Sequence, residues 1–481
     1  MSPYAVIATI LAYFLAMFLV SWLSGRRSRN SDFFQGGRSQ KWWVVAFAMI
    51  GSCMSGVTFV SVPGMVGTAS FGYLQMCIGF FVGYLVIAFV LTPIFYRLNL
   101  VSIYGYLESR FGLSSYRTGA WFFFISKMLG ASVRLFVVCL ILQLLVFDPV
   151  GLPFFVNVLV CVGISLIYTF RGGVKTVIWT DNLKTFCMIA AVVLCIVSMS
   201  RELGLDIGGL TSAVTSSHMS RVFFFDDFNH PQFFWKQFLG GVFTVVAMTG
   251  LDQDLMQRTL ASKNSGDAQK NLVISSLLQI VVIAMFLVLG VLLYAYASAS
   301  GIPETGDKLF PAVATHGGIP SIVGIMFILG LVSCSFSAGG SALTALTTSF
   351  TVDIIGTEGK SVAQVSSVRK KIHIFMAILM VLTICVFNLI NNTSAIDAVY
   401  KLASYTYGPI LGMFAFGIFT RKPVRDRWVP LVAVAAPLLC LVLQLNSQRW
   451  FGGYRFSYEL LLLNALLTFL GLLCLVRRKE S

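Results

Sequence analysis

The chain has 481 residues, 57% of them hydrophobic and only 11% charged, and carries a formal net charge of +15. Soluble domains carry about 25% charged residues, so this composition excludes a soluble globular protein and describes an integral membrane one. The positive charge calls for no nucleic acid, because basic loops facing an anionic leaflet account for it. The ten Cys include no C-x-x-C pair and the four His are scattered, which argues against a disulfide framework, a zinc site or a His-based acid–base centre.

Apolar runs of about 20 residues, enough to cross a bilayer as a helix, occur at 4–23, 42–62, 72–93, 118–147, 153–170, 183–200, 233–252, 271–297, 319–350, 373–391, 398–419, 429–446 and 456–477. They predict an all-α membrane protein with 13 transmembrane helices in a single domain over 1–481. The first run has no arginine-led n-region and no small-residue cleavage site, so it reads as a retained helix. Segments after the odd-numbered spans hold 25 of the 34 basic residues, among them Arg26, Arg27, Arg171, Lys175, Lys184, Arg258 and Lys263. The positive-inside rule then places the N-terminus outside the cytoplasm and the C-terminus inside it, in the plasma (inner) membrane.

In chain order, the first unusual span is Lys41–Gly64. Mid-span, Gly51-Ser52-Cys53-Met54-Ser55-Gly56 pairs two glycines with hydroxyls, a pattern that suits either an unwound helix lining a cavity or close helix packing. In the next span Gly79 and Gly83 form a small-xxx-small pattern, which reads as packing. On the cytoplasmic side Glu108 and Arg110 are spaced to pair. The fourth span carries Lys127 and Arg134. Lys127 reads as structural, its stem snorkelling to the interface. Arg134, in Gly130-Ala-Ser-Val-Arg134, is either a grip for a carboxylate or phosphate or one half of an internal salt bridge with Asp181 or Glu108. Asp181, at the expected start of the sixth span, reads as a helix cap, with a cation-ligand or gating role as the alternative.

Residues 201–232 form a polar extracytoplasmic loop, expected to include a short surface helix. The seventh span again has a glycine pair, Gly240-Gly241, followed by Asp252-Gln-Asp-Leu-Met-Gln-Arg258. Late in the chain, Ser333, Ser337, Ser341, Thr344 and Thr348 recur every three or four positions, one hydroxylated helix stripe that serves either packing or a hard cation. Counted from the second span, the first and sixth segments are the glycine-interrupted ones and the third and eighth the long ones. That is the plan of a five-plus-five inverted repeat with its site at the repeat interface.

The motifs together resemble the sodium/solute symporter family, nearest to its sialic-acid-type members. They are Phe33-Phe34-Gln35-Gly36-Gly37-Arg38 before Trp42-Trp43, Met54-Ser55-Gly56-Val57-Thr58-Phe59, Tyr106-Leu107-Glu108 with Arg110-Phe111-Gly112, Gly172-Gly173 with Thr180-Asp181, Asp252-Gln253 with Gln257-Arg258, Thr351-Val352-Asp353-Ile354, and Gly408-Pro409 with Gly412 and Gly417. The resemblance implies a LeuT-type fold with an accessory first helix (4–23), a ten-helix core (42–419) and two accessory C-terminal helices (429–477). It also implies alternating access driven by Na⁺ as coupling ion, with no organic cofactor. The implied sodium positions are Gly51, Met54, Cys334, Ser337 and Ala338, where Ala338 stands in place of a usual hydroxyl and weakens the set. The second-ion positions of sialic-acid-type members fall on Asp181, Ser337, Gly340 and Ser341, and Gly340 has no side-chain oxygen to offer. The implied substrate positions are Ser55, Thr58 and Arg134, the arginine gripping a carboxylate, together with Ser52 and with Cys53 and Cys77 in place of more polar residues.

The expected function is uptake of a small organic anion, sialic acid or a related sugar acid, with Na⁺. The expected partners are that solute and the lipid bilayer, with no nucleic acid and no obligate protein partner. Proton-coupled or sodium-independent transport, or a neutral sugar or amino acid substrate, is the alternative on the same fold. A solute-binding sensor is the alternative from another class. No metal-ligand cluster or Ser/His/Asp set within the spans points to an enzyme.

Overall fold

Long apolar runs buried in lipid must satisfy their backbone polar groups internally, and the helix does so within one segment. The computed structural model describes residues 3–25, 40–100, 102–170, 174–316, 319–356, 359–390 and 395–477. Among these residues the chain is helical throughout its ordered elements, with two isolated β-bridges, Gln40–Ser262 and Val424–Val476. The Phe33–Arg38 and Gly172-Gly173 motifs lie outside the described residues.

The chain opens with α1 (Pro3–Gly25), then the paired half-helices α2 (Trp42–Cys53) and α3 (Gly56–Ala69), and α4 (Tyr73–Arg97). Next come α5 (Leu113–Leu142), α6 (Phe154–Thr169), α7 (Val174–Glu202), and a second pair, α8 (Phe234–Val245) and α9 (Gln253–Thr259). The rest are α10 (Ser265–Ser300), α11 (Ser321–Ser349), α12 (Val362–Ile390), α13 (Ala395–Phe419), α14 (Val429–Trp450) and α15 (Leu460–Cys474). Eight of the described helices are long and apolar enough to cross a membrane, nine when α2 and α3 count as one bent span, with α6, α15 and most of α1 as shorter apolar helices. The expected surface helix in the 201–232 loop is Ile207–Thr215.

Burial follows the membrane setting. The long α14 is only 22% buried and turns Leu431, Leu438, Leu439 and Leu445 outward, whereas the window in α5 is 72% buried. α5 is therefore an inner helix, in contact with α11 and α13. Close approach is made by glycine: a Cβ on Gly79 would lie 2.2 Å from the Phe238 carbonyl oxygen, and one on Gly241 would lie 2.3 Å from that of Met76. α4 and α8 therefore touch backbone to backbone, as small residues permit.

Both expected interruptions exist, one of them displaced. The span over 42–69 bends by 61° at Met54 (φ −101°, ψ 141°) and Ser55 (φ −129°, ψ 179°), both extended. In the seventh span Gly240 and Gly241 sit inside regular α8 and serve packing. The break comes later, where a π-helical turn over Val246–Gly250 leads to extended Asp252, which caps α9 by accepting from the amides of Asp254 and Leu255. Glycine lowers helix propensity only modestly, and here the carboxylate that can cap a new helix decides the position of the break.

Candidate functional site

A helix interrupted in mid-membrane exposes two unlike ends. The last carbonyls of α2 carry the negative pole of its dipole and suit a cation. The first amides of α3 carry a positive pole and suit an anion. At the second end Thr58 Oγ1 accepts from the Ser55 amide at 3.3 Å, which fixes the entry into α3. Beside the break lies a cavity of about 110 Å³ lined by residues of α2, α3, α4, α5, α7, α8, α9, α10, α11 and α13. One water needs roughly 10–15 Å³ on the same measure, so the space suits a small solute and not a polymer.

One wall of the cavity is a buried ion network. Lys127 Nζ on α5 lies 3.0 Å from both carboxylate oxygens of Asp252 and 3.0 Å from Asp254 Oδ2. Arg258 Nη2 reaches Asp254 Oδ1 at 2.9 Å, and Nη1 reaches Asp181 Oδ2 on α7 at 2.7 Å. Ser52 Oγ donates to Asp181 at 2.9 Å, and Arg258 also donates to Ser52 and Ser341. Ser341 in turn donates to Asp254 at 2.6 Å, and Tyr407 on α13 donates to Asp252 at 2.8 Å. Charged residues buried this deeply persist only when paired and hydrogen-bonded. The network therefore ties α2, α5, α7, α9, α11 and α13 into one arrangement.

Arg134 is different. It lies seven residues beyond Lys127 on the same face of α5, half-buried, and it lines the cavity. Among the described residues it makes no ion pair, with Asp181 taken by Arg258. The salt-bridge alternative for it is thus not realised. Gly130, between the two cations, would carry its Cβ into open space, so the small residue leaves room in the cavity that Arg134 also lines. The lining holds Lys127, Arg134, Lys184 and Arg258 against Asp181, Asp252 and Asp254, an excess of one positive charge. Tyr73 and Tyr400, which also line the cavity, share a hydrogen bond of 2.7 Å.

The model of the sodium:solute symporter family matches residues 33–425. The chain belongs to that family. Membership makes it a sodium-coupled membrane transporter and not an enzyme. Over 437 residues the symporter is 26% identical to the sodium/sialic acid symporter NanT of Aliivibrio fischeri, covering 86% of this chain and 82% of that one. It is 25% identical over 407 residues to the human sodium/iodide cotransporter, covering 82% of this chain and 62% of the cotransporter. Its fold matches that of a Na⁺-coupled sialic acid symporter solved in a substrate-bound outward-open state, with a TM-score of 0.82 at 20% identity over 97% of this chain and 96% of the other.

Several residues singled out from the symporter's sequence meet at the cavity, and others do not. Ser52, Cys53, Met54, Ser55, Thr58, Arg134, Asp181, Ala338 and Ser341 all line it. Cys53 Sγ lies 3.0 Å from the Tyr84 hydroxyl. Gly51 and Cys334 are buried behind the wall. Ser337 belongs to α11, but its side chain, like that of Ser335, lies outside the described residues. Cys77 departs from expectation: it shares a face of α4 with Tyr73, Phe80 and Tyr84, yet its short side chain is fully buried while those three rings reach the cavity. Ser52 lines the cavity with its hydroxyl hydrogen-bonded to Asp181 and Arg258.

Asp181 does not cap its helix. α7 starts at Val174, seven residues earlier, and the carboxylate pairs with Arg258 instead. Lys127 does not snorkel to an interface; it is 6% exposed between two aspartates. Arg110 does not pair with Glu108 but donates to the carbonyls of Gly417 and Thr420 at 3.2 and 2.7 Å. The hydroxyl stripe divides: Ser333 and Thr344 bond back to carbonyls of their own helix, while Ser341 joins the ion network. Lys184 and Arg258, counted by sequence with the cytoplasmic loops, are buried. Asp254 and Tyr407 escaped notice, although the Asp254–Arg258 spacing of four is a standard helix ion pair.

Proposed function

We propose that the chain carries a small organic anion, a carboxylate of the sialic-acid type, into the cell together with one Na⁺ by alternating access. The observation that carries this reading is Arg134. A guanidinium without an ionic partner among the described residues, lining a cavity together with Gly130, has its charge and its fork of donors free for an incoming carboxylate. The amide end of α3, with Ser55 and Thr58 beside it, offers further donors to the same group, and Cys53 takes a weaker polar position.

Sodium in this reading sits between the carbonyls of Gly51 and Met54 at the end of α2 and the oxygens of Cys334 and Ser337 on α11. Ala338 contributes no side-chain oxygen, so the site is short of one ligand. A second sodium at Asp181 and Ser341 is disfavoured, because Arg258 donates to both and supplies the positive charge there. Those two residues act instead in a gate made with Lys127, Asp252, Asp254 and Tyr407.

The membrane arrangement proposed is that of thirteen spans, with α8 and α9 forming one interrupted span, the N-terminus outside and the C-terminus inside. The five-plus-five repeat is supported by the two interruptions, α2/α3 and α8/α9, falling five spans apart. Uptake of labelled sialic acid into proteoliposomes tests the function. It should collapse without a sodium gradient, and Arg134→Ala should abolish solute binding while the purified protein still unfolds cooperatively. Unchanged uptake in Arg134→Ala would remove the carboxylate grip from the mechanism.

A further inference from the structure

The ion network leaves one buried charge of the cavity wall unused. Lys184 lies on α7 one turn beyond Asp181, on the same face, and its side chain is fully buried. Among the described residues its Nζ has no hydrogen-bond partner. An ammonium carries three donors and no acceptor, and a bare one in a membrane interior is costly, so an intramembrane lysine of this kind points to a function. The nearest carboxylate on its own helix is taken, since Asp181 is held by Arg258 at 2.7 Å and by Ser52 at 2.9 Å.

The surroundings indicate what the ammonium can reach. α7 packs on both α2 and α11. Its contact with α2 is backbone-close: a Cβ on Gly51 would lie 2.2 Å from Thr185 Oγ1 and 3.1 Å from the Asp181 carbonyl oxygen. Lys184 lines the cavity together with Met54 and Ala338. Beside that space run the backbone carbonyls at the end of α2 and on α11, the two helices on which α7 packs. Those are the oxygens assigned above to sodium.

We propose that Lys184 is a tethered cation that competes with the coupling Na⁺ for the carbonyl oxygens between the end of α2 and α11. An ammonium and a sodium ion are both monovalent cations satisfied by a cluster of neutral oxygens, and the two cannot occupy one cluster together. Sodium therefore binds by displacing the lysine. The tether also gives the site a resident positive charge when sodium is scarce, so that part of the solute binding survives without sodium. The inference rests on the sodium site of the proposed function.

The test titrates purified full-length protein with NaCl against choline chloride at constant ionic strength, following thermal stability, in the wild type and in two neutral variants, Lys184→Met and Lys184→Gln. Ion binding to the folded state raises its apparent stability by mass action. The half-maximal sodium concentration should fall at least tenfold in a neutral variant. Stabilisation by sialic acid in choline should be measurable in the wild type and lost in that variant. A half-maximal sodium concentration that stays the same while both proteins respond would overturn the role of Lys184 alone. No response to sodium in either protein would overturn the sodium site as well, so the two failures are distinguishable.

Discussion

The hydroxyl of Tyr168 fills the space into which a side chain at position 340 would project. A Cβ built on Gly340 would lie 1.8 Å from the phenolic oxygen, which itself donates to the Phe336 carbonyl at 2.6 Å. Gly340 is therefore more than a missing oxygen in the hydroxyl stripe. The vacancy is used by a ring from α6, and a hydroxyl cannot simply be added back. Gly340→Ser should destabilise the protein by about 1–3 kcal/mol through overpacking. It should lower the thermal midpoint and leave the sodium dependence of uptake non-cooperative. A stable variant with cooperative sodium dependence would show that the position accepts an ion ligand.

The ion network makes a separate prediction. Arg258 is 3% exposed and holds Asp181, Asp254, Ser52 and Ser341 at once. Arg258→Ala leaves buried carboxylates uncompensated, and breaking a buried pair this way costs about 3–5 kcal/mol. The variant should fall sharply in folded yield and in chemical-denaturation midpoint. An exposed control, Arg221→Ala at the Arg221–Asp226 surface pair, should shift either by no more than about 1 kcal/mol.

Tyr407→Phe removes one donor to Asp252 while keeping the ring packed on α13. A hydrogen bond to a charged group contributes about 1.5–3 kcal/mol. The proposed gate should loosen more than the fold. Solute exchange across the membrane should speed up with only a modest loss of thermal stability, and an unchanged exchange rate would separate Tyr407 from gating.

Much of this was readable in the sequence because membrane spans are long and their breakers few. The glycine-and-hydroxyl run at 51–56 marks the bend at Met54–Ser55, and Arg134, deep in an apolar span, marks the cavity. The parts that were not readable depend on which charges meet. Lys127, Asp181 and the Asp252–Asp254–Arg258 set lie on three separate helices, and spacing along the chain says nothing about contact between them. Lys184 and Arg258 were assigned to cytoplasmic loops because α7 and α9 begin with polar residues, and only packing reveals that these charges are covered. Gly240-Gly241 misled in the opposite sense, since glycine permits either a break or a close contact, and here contact with Met76 decides.

Gly130 supplies a prediction about selectivity. Its Cβ would meet nothing within 4 Å, and it sits in the middle of α5, where replacing Gly by Ala favours a helix by about 0.5–1 kcal/mol. Gly130→Ala should raise the thermal midpoint and reduce uptake of a sugar acid more than that of a two- or three-carbon monocarboxylate. Equal effects on both solutes would place the cargo elsewhere in the cavity.

The open position at Gly130 also bears on how such a carrier can change its cargo. In the proposed function the charge that grips, Arg134, and the room that admits, at Gly130, are set by different residues four positions apart on one helix. Size preference can then drift by single substitutions at 130 while the anchor and the gate keep their geometry. The helix works as a ruler with one movable mark, and a change of diet need not cost the transporter its machinery.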